Sequence, residues 1–66
     1  MTVAKVTEIT SSSKESFDDA VKNGIKRASK TLNSIKSAWV ADHQVKVKDG
    51  DIVAYNVRMK VTFVLK

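Results

Sequence analysis

Residues 38–65 have the sequence AWVADHQVKVKDGDIVAYNVRMKVTFVL, in which Asp49-Gly50 separates two extended segments. An Asp-Gly pair between alternating segments is typical of a β-hairpin, because a type I′ turn needs positive φ at both central positions. The second segment carries apolar side chains at every second position along most of its length. This period of two predicts strands over 38–48 and 51–65 that pair through a two-residue loop.

A strand and a helix are predicted before the hairpin. Residues 2–9 are rich in β-branched side chains and predict a strand, and 10–13 (Thr-Ser-Ser-Ser) predict a polar break. Ser12 and Glu15 fit a helix capping box, and Ser13 is an equally good cap. The helix is predicted from apolar residues at helical spacing, which form one stripe: Phe17, Ala20, Val21, Gly24, Ile25, Ala28, Leu32 and Ile35. Gly24 lies within this stripe, so we expect a close approach to the sheet there. The element order is β-α-β-β, an α+β fold.

The two-residue loop also predicts which hairpin residues face each other. Val40 should lie opposite Met59, and Ala38 opposite Val61, on the face that receives the helix. Polar Asp42 and Gln44 would then lie on the helix side, which hints at a β-bulge that would change this pairing. On the other face the predicted pairs are Val47–Ile52, Val45–Ala54, His43–Asn56, Ala41–Arg58, Trp39–Lys60 and Ser37–Thr62.

Size and composition point to a partner. The chain has 66 residues, with 12 Lys and Arg against 7 Asp and Glu, a net charge of +5 and no cysteine. Absence of cysteine excludes disulfides, iron–sulfur clusters and thiolate zinc sites. A single core in a chain this short rarely supplies more than ~3–5 kcal/mol, so we expect one domain over 1–66 that forms a homo-oligomer. No long apolar stretch or signal peptide is present, which favours a cytoplasmic protein.

One helix covers only one side of a three-stranded sheet, so the other face is free for a ligand or a second subunit. That face carries the only tryptophan, Trp39, opposite Lys60 and beside Ser37. Its indole could stack on a planar ligand, or it could pack in a subunit interface. The residues leave both interpretations open.

Other chemistry has little support in the sequence. One histidine, no cysteine and no glycine-flanked serine give no catalytic triad, and we expect no enzyme and no metal site. The charge of +5 keeps a nucleic-acid binder as an alternative. However, the lysines are dispersed, and a single exposed aromatic side chain makes no stacking platform for several bases.

Five stretches distributed between residues 5 and 63 resemble the dodecin family, and the resemblance covers essentially the whole chain. They are KVTEI (5–9), SKESF (13–17), AVKNGI (20–25), RASKTL (27–32) and YNVRMKVTF (55–63). The resemblance implies a β-α-β-β chain whose three-stranded antiparallel sheet wraps on one helix. It also implies hollow homododecamers of cubic 23 symmetry that store or sequester flavins, riboflavin or FMN, without catalysing a reaction.

The sequence departs from flavin-binding dodecins at two positions. Counted without gaps, their stacking tryptophan corresponds to Ser37, whereas the tryptophan here is Trp39; their flavin-binding glutamine corresponds to Asn56. A shift of two keeps the indole on the same face, moved by roughly 6–7 Å along the strand. The resemblance therefore implies Trp39 as the stacking residue, Asn56 as the amide contact, and Ser37 and Lys60 as pocket neighbours.

The alternatives to flavin storage also follow from the resemblance. A dodecin-like shell could hold another small molecule or ion, or serve a purely structural role. Some dodecin-like proteins that lack the stacking tryptophan are associated with calcium. Glu8, Asp42 and Asp51 could contribute oxygen ligands to a calcium ion across an interface, although they form no cage in the sequence.

Overall fold

The computed structural model describes residues 3–65 and contains one helix and three strands. Strand β1 spans Ala4–Ser13, helix α1 Phe17–Ala28, strand β2 Ile35–Lys48 and strand β3 Asp51–Val64. The strands form one antiparallel sheet in the order β1-β3-β2. The predicted β-α-β-β order and the α+β class are confirmed. Within residues 3–65, no helix has the length and apolar character needed to cross a membrane.

The turn between β2 and β3 has the predicted geometry. Asp49 and Gly50 have φ values of 53° and 83°, and Lys48 lies opposite Asp51. Positive φ at both loop positions matches the right-handed twist of the flanking strands. The Asp-Gly pair therefore sets the start of the β2–β3 register.

The predicted hairpin register is right at both ends and wrong in the middle. The confirmed pairs are Val47–Ile52, Val40–Met59, Trp39–Lys60, Ala38–Val61 and Ser37–Thr62. Between them the observed pairs are Lys46–Ala54, Val45–Tyr55, Gln44–Asn56, His43–Val57 and Asp42–Arg58. The pairs Val45–Ala54, His43–Asn56 and Ala41–Arg58 are therefore wrong. The register shifts at three places, between Ile35 and Ser37, between Val40 and Asp42, and between Lys46 and Val47.

The shift between Val40 and Asp42 is a β-bulge, and it is the one that polar Asp42 and Gln44 indicated in the sequence. Ala41 has no partner on β3, and the side chains that follow it exchange faces. Asp42 and Gln44 therefore share a face with Arg58 and Asn56, away from the helix. His43 moves to the helix side, where its ring lies edge-on to Phe17 with the centroids 4.8 Å apart.

Strand β1 continues through the predicted polar break. Its pairing with β3 runs from Ala4–Val64 to Ser13–Tyr55, and this ladder outweighs the weak strand propensity of serine. The helix cap is Ser16, whose hydroxyl accepts a 3.0 Å hydrogen bond from the Asp19 backbone nitrogen. The predicted caps at Ser12 and Ser13 are therefore wrong. Ser13 is buried and donates a 2.6 Å hydrogen bond to the Asp19 carboxylate.

Helix α1 is shorter than the predicted apolar stripe. It ends at Ala28 with Ser29 as its C-cap, whereas the stripe continued to Ile35. Ser34 has a φ of 57°, which turns the chain, and Ile35 already pairs with Phe63 as the first residue of β2. The last two apolar residues of the stripe therefore lie beyond the helix.

The core lies between α1 and the sheet. Ala20, Val57 and Met59 are buried, and Ile9, Phe17, Val21 and Ile25 pack around them. Gly24 permits the close approach of the helix, because a Cβ there would lie 2.7 Å from Met59 Cε and 2.9 Å from Ser11 Cβ. The expected close contact between helix and sheet at Gly24 is confirmed.

Candidate ligand-binding site

The side of the sheet that faces away from α1 is called the open face here. Successive side chains of a strand alternate between faces, so the neighbours of buried Val57, Met59 and Val61 lie on the open face. The register sets them in rows that cross β1, β3 and β2. The rows are Val6–Thr62–Ser37, Glu8–Lys60–Trp39, Thr10–Arg58–Asp42 and Ser12–Asn56–Gln44.

Three of the four predicted site residues lie together at one end of the open face. Trp39 is 63% exposed and lies directly opposite Lys60. Ser37 lies in the adjacent row, opposite Thr62. The Glu8 carboxylate pairs with Arg58 rather than with the Lys60 ammonium beside it. An exposed indole and an ammonium group thus stand side by side.

The fourth predicted residue, Asn56, lies farther along the sheet. It lies four positions before Lys60 on β3, and Lys60 is in the row of Trp39. At a rise of about 3.4 Å per residue, this separation is about 14 Å. A single chain therefore does not bring the Asn56 amide close to the Trp39 ring. A ligand that stacks on Trp39 and binds Asn56 would take the two residues from different copies.

A charged row separates these two ends. Arg58 binds Glu8 through Nε at 3.3 Å from Oε1, and its Nη2 binds the Asp42 carboxylate. All three side chains are about half exposed, so the pairs contribute little to stability. They do fix the Arg58 guanidinium between two carboxylates. The sequence missed this row because the bulge at Ala41 brings Asp42 to the open face.

The next row is a chain of polar side chains. The Ser12 hydroxyl donates a 2.6 Å hydrogen bond to Asn56 Oδ1. Asn56 Nδ2 in turn donates a 3.1 Å hydrogen bond to Gln44 Oε1. The sequence prediction included Asn56 but missed Gln44, although the bulge hint was the pattern that could have identified it.

An open depression of about 670 Å³ lies over these two rows. Its lining includes Thr10, Ser12, Asp42, Gln44, Asn56 and Arg58. This volume is in the range of small-molecule pockets. Asn56 thus lies in the depression, whereas Trp39, Lys60 and Ser37 lie outside its lining.

The carboxylates predicted as calcium ligands do not form a metal site within the described part of one chain. Among residues 3–65, no group of three or more His, Asp or Glu side chains is placed to hold a metal ion. Glu8 and Asp42 both bind Arg58, and Asp51 lies at the hairpin turn. A calcium site that these three carboxylates would form across an interface stays a prediction.

Fold and open face together define a class of small β-α-β-β proteins in which one helix covers one side of a three-stranded sheet. The Dodecin family model matches residues 3–66, and the chain belongs to the dodecin family. The family resemblance predicted from the sequence is confirmed.

Solved dodecin structures are similar over nearly the whole chain. Dodecin from Streptomyces davaonensis is 38% identical with a TM-score of 0.95, and the match covers 98% of this chain and 96% of that one. Dodecin from Streptomyces coelicolor is 31% identical with a TM-score of 0.94 and coverage of 98% and 93%. The calcium dodecin of Mycobacterium tuberculosis, a calcium-chelating antigen, is 28% identical with a TM-score of 0.84 and coverage of 97% and 91%. A search of curated protein sequences gave no match.

Proposed function

We propose that this dodecin is a non-enzymatic flavin-binding protein that stores or sequesters riboflavin or FMN as a hollow homododecamer in the cytoplasm. The observation that carries the proposal is Trp39, a large aromatic side chain that is 63% exposed on the open face. Burial of an aromatic ring against a planar ligand is favourable, and stacking geometry adds about 0.5–1.5 kcal/mol to it. Lys60 and Ser37 are the neighbours that such a ligand would meet.

Self-association is supported by apolar side chains far from the helix. The molecule is elongated, with extents of 52 × 19 × 14 Å, and residues 41–53 are all exposed. Val47, Ile52 and Val53 near the hairpin turn are 61%, 51% and 45% exposed. Since one chain cannot cover these side chains with its own helix, other copies would bury them.

The position of Asn56 also supports a site between copies. It lies about 14 Å along β3 from the row of Trp39, from the rise per residue. We therefore assign the stacking residue and the amide contact of one flavin to different subunits. Binding needs no bond-making step, because stacking removes the ring from water and places an electron-rich indole beside it.

A dodecin shell that does not bind flavin is the second candidate. It is favoured by Ser37, which has no ring at the position where flavin-binding dodecins carry tryptophan. In that case Trp39 packs in a subunit interface. Calcium as the cargo has less support, because the Glu8 and Asp42 carboxylates are both paired with Arg58. A nucleic-acid binder stays the third alternative.

A riboflavin fluorescence titration of the purified oligomer tests the proposal. We expect saturable quenching that ends near equimolar flavin and chain. Trp39→Ala should weaken binding by at least about 1 kcal/mol, the usual contribution of one stacked ring. Light scattering should show an unchanged oligomer, and Lys46→Gln on the same face serves as the matched control.

Three results would contradict the proposal. Riboflavin that stays fluorescent at protein concentrations well above micromolar would favour the shell without flavin. Dissociation of the Trp39→Ala oligomer would assign the indole to an interface. Binding of DNA or RNA that weakens steeply with salt would favour the nucleic-acid binder.

A further inference from the structure

The Asn56 carboxamide is already engaged within its own chain. Its oxygen accepts from the Ser12 hydroxyl at 2.6 Å, and its nitrogen donates to Gln44 at 3.1 Å. An asparagine amide offers two N–H donors and two acceptor lone pairs, so one of each is used. Asn56 is also only partly accessible, whereas Gln44 is exposed. The residue that matches the family glutamine is therefore poorly placed to bind a ligand by itself.

Gln44 is the outer end of the same polar chain. Its oxygen is held by Asn56, which fixes the orientation of its carboxamide. Within residues 3–65, the Gln44 amide nitrogen forms no hydrogen bond. Gln44 also lines the open depression, on a face that it occupies only because of the bulge at Ala41. The chain thus presents an oriented and unused amide donor to this cavity.

The other strong donor in the depression is less available. Arg58 has its Nε and Nη2 nitrogens bound to Glu8 and Asp42. The polar edge of an isoalloxazine ring carries two carbonyl oxygens on either side of one N–H group. A carboxamide nitrogen with free hydrogens complements such a carbonyl oxygen. Gln44 also has one methylene more than Asn56, so it reaches farther into the cavity.

We infer that Gln44 is the amide that donates to a carbonyl oxygen of the flavin, and that Asn56 is a positioning residue that holds Gln44 in place. This inference rests on the proposed flavin binding. It replaces the direct Asn56 contact by a hydrogen-bonded chain of three residues, Ser12, Asn56 and Gln44.

Gln44→Glu is the sharpest variant. A glutamate there still accepts from Asn56 Nδ2, but it replaces the free N–H donors by a carboxylate oxygen that repels the flavin carbonyl. We expect Gln44→Glu and Gln44→Ala to weaken riboflavin binding by about threefold to tenfold, the range of one net hydrogen bond. Lys46→Gln, the next open-face position on β2, should stay within about twofold because it lies outside the lining.

A double-mutant cycle separates positioning from contact. If Asn56 acts through Gln44, then Asn56→Ala weakens binding in the wild-type background and has no further effect in the Gln44→Ala background. If Asn56 binds flavin directly, its effect is the same in both backgrounds. Light scattering on each variant reports the oligomer independently of the ligand.

The outcomes are distinguishable from failure of flavin binding itself. Absence of quenching in the wild type overturns the proposed function and this inference with it. Wild-type quenching with unchanged affinity in both Gln44 variants overturns the inference alone. Loss of the oligomer in both Gln44 variants, with Lys46→Gln intact, would assign Gln44 to an interface and would also overturn it.

Discussion

Replacing Gly24 by alanine should destabilise the protein, although alanine is the better helix former. Within the helix the substitution gains about 1 kcal/mol of propensity. The new Cβ would lie 2.7 Å from Met59 Cε and 2.9 Å from Ser11 Cβ, distances that real Cβ atoms do not adopt. Met59 is fully buried, and Ser11 Cβ is bonded directly to the β1 backbone. The Met59 methyl group is the end of a flexible side chain, so the rigid obstacle is Ser11 Cβ, which moves only if the helix or β1 is displaced.

Overpacking of this kind costs about 1–3 kcal/mol, which exceeds or cancels the gain in propensity. We therefore expect Gly24→Ala to lower the free energy of unfolding by roughly 1 kcal/mol. Urea denaturation followed by circular dichroism measures this change. Chain concentration must be the same for all variants, because the stability of an oligomer depends on it.

A second substitution tests the assigned contact. Ser11→Gly removes both Ser11 atoms that the new Cβ would meet, at 2.9 and 3.2 Å. In the Gly24→Ala background it should therefore be less destabilising than in the wild type, with a coupling of about 0.5–1 kcal/mol. Lys26→Ala, an exposed position on the same helix, is the control for effects of propensity alone. A Gly24→Ala variant that is more stable than wild type would refute the close-approach argument.

Two further predictions concern the helix cap and the turn. Ser16→Ala removes the acceptor for the Asp19 nitrogen and should cost about 1 kcal/mol, measured by thermal or urea unfolding; an unchanged midpoint would show that the cap is dispensable. Gly50→Ala meets no atom within 4 Å but keeps a φ of +83°, so its cost is backbone strain of about 1 kcal/mol. A loss well above 2 kcal/mol would mean that Gly50 also has a packing role, and Asp51→Ala beside it is the control.

The sequence predicted those parts of the fold that depend on local patterns. Asp49-Gly50 specified the turn, because few residue pairs adopt positive φ at both positions. The apolar stripe from Phe17 to Ala28 specified the helix face, since its spacing matches the helical period. The end of the helix and the extent of β1 were not predictable in this way. Both depend on pairing with β3, which places Ile35 in β2 although its spacing continues the helical stripe, and Ser13 in β1 although it follows a run of serines.

The same distinction applies to the candidate site. Trp39 and Lys60 were predicted as neighbours because they lie between the bulge and the sheet end, where the simple register holds. The Gln44–Asn56 pair lies within the shifted segment, and the sequence therefore placed Asn56 opposite His43. A bulge does not change the sequence of β2, so the sequence does not directly show which of its residues is left unpaired. Only the mismatch of polar Asp42 and Gln44 with the helix face indicated one.

The bulge decides what the open face can bind. Without it, Asp42 and Gln44 would lie on the helix side with buried Val57 and Met59, where unpaired polar groups are unfavourable. With it, a carboxylate and an amide join Arg58 and Asn56 across the sheet, and His43 packs on Phe17 instead. A second shift restores the pairing of Val47 with Ile52, because Val53 of β3 has no partner on β2. The side chains of β2 nevertheless keep the exchanged faces from Asp42 to the turn, since no residue of β2 is skipped there. The unpaired residue Ala41 thus builds the polar depression, and the unpaired residue Val53 of β3 restores the predicted pairing at the turn. The row that presents Trp39 lies before Ala41 and keeps its predicted pairing.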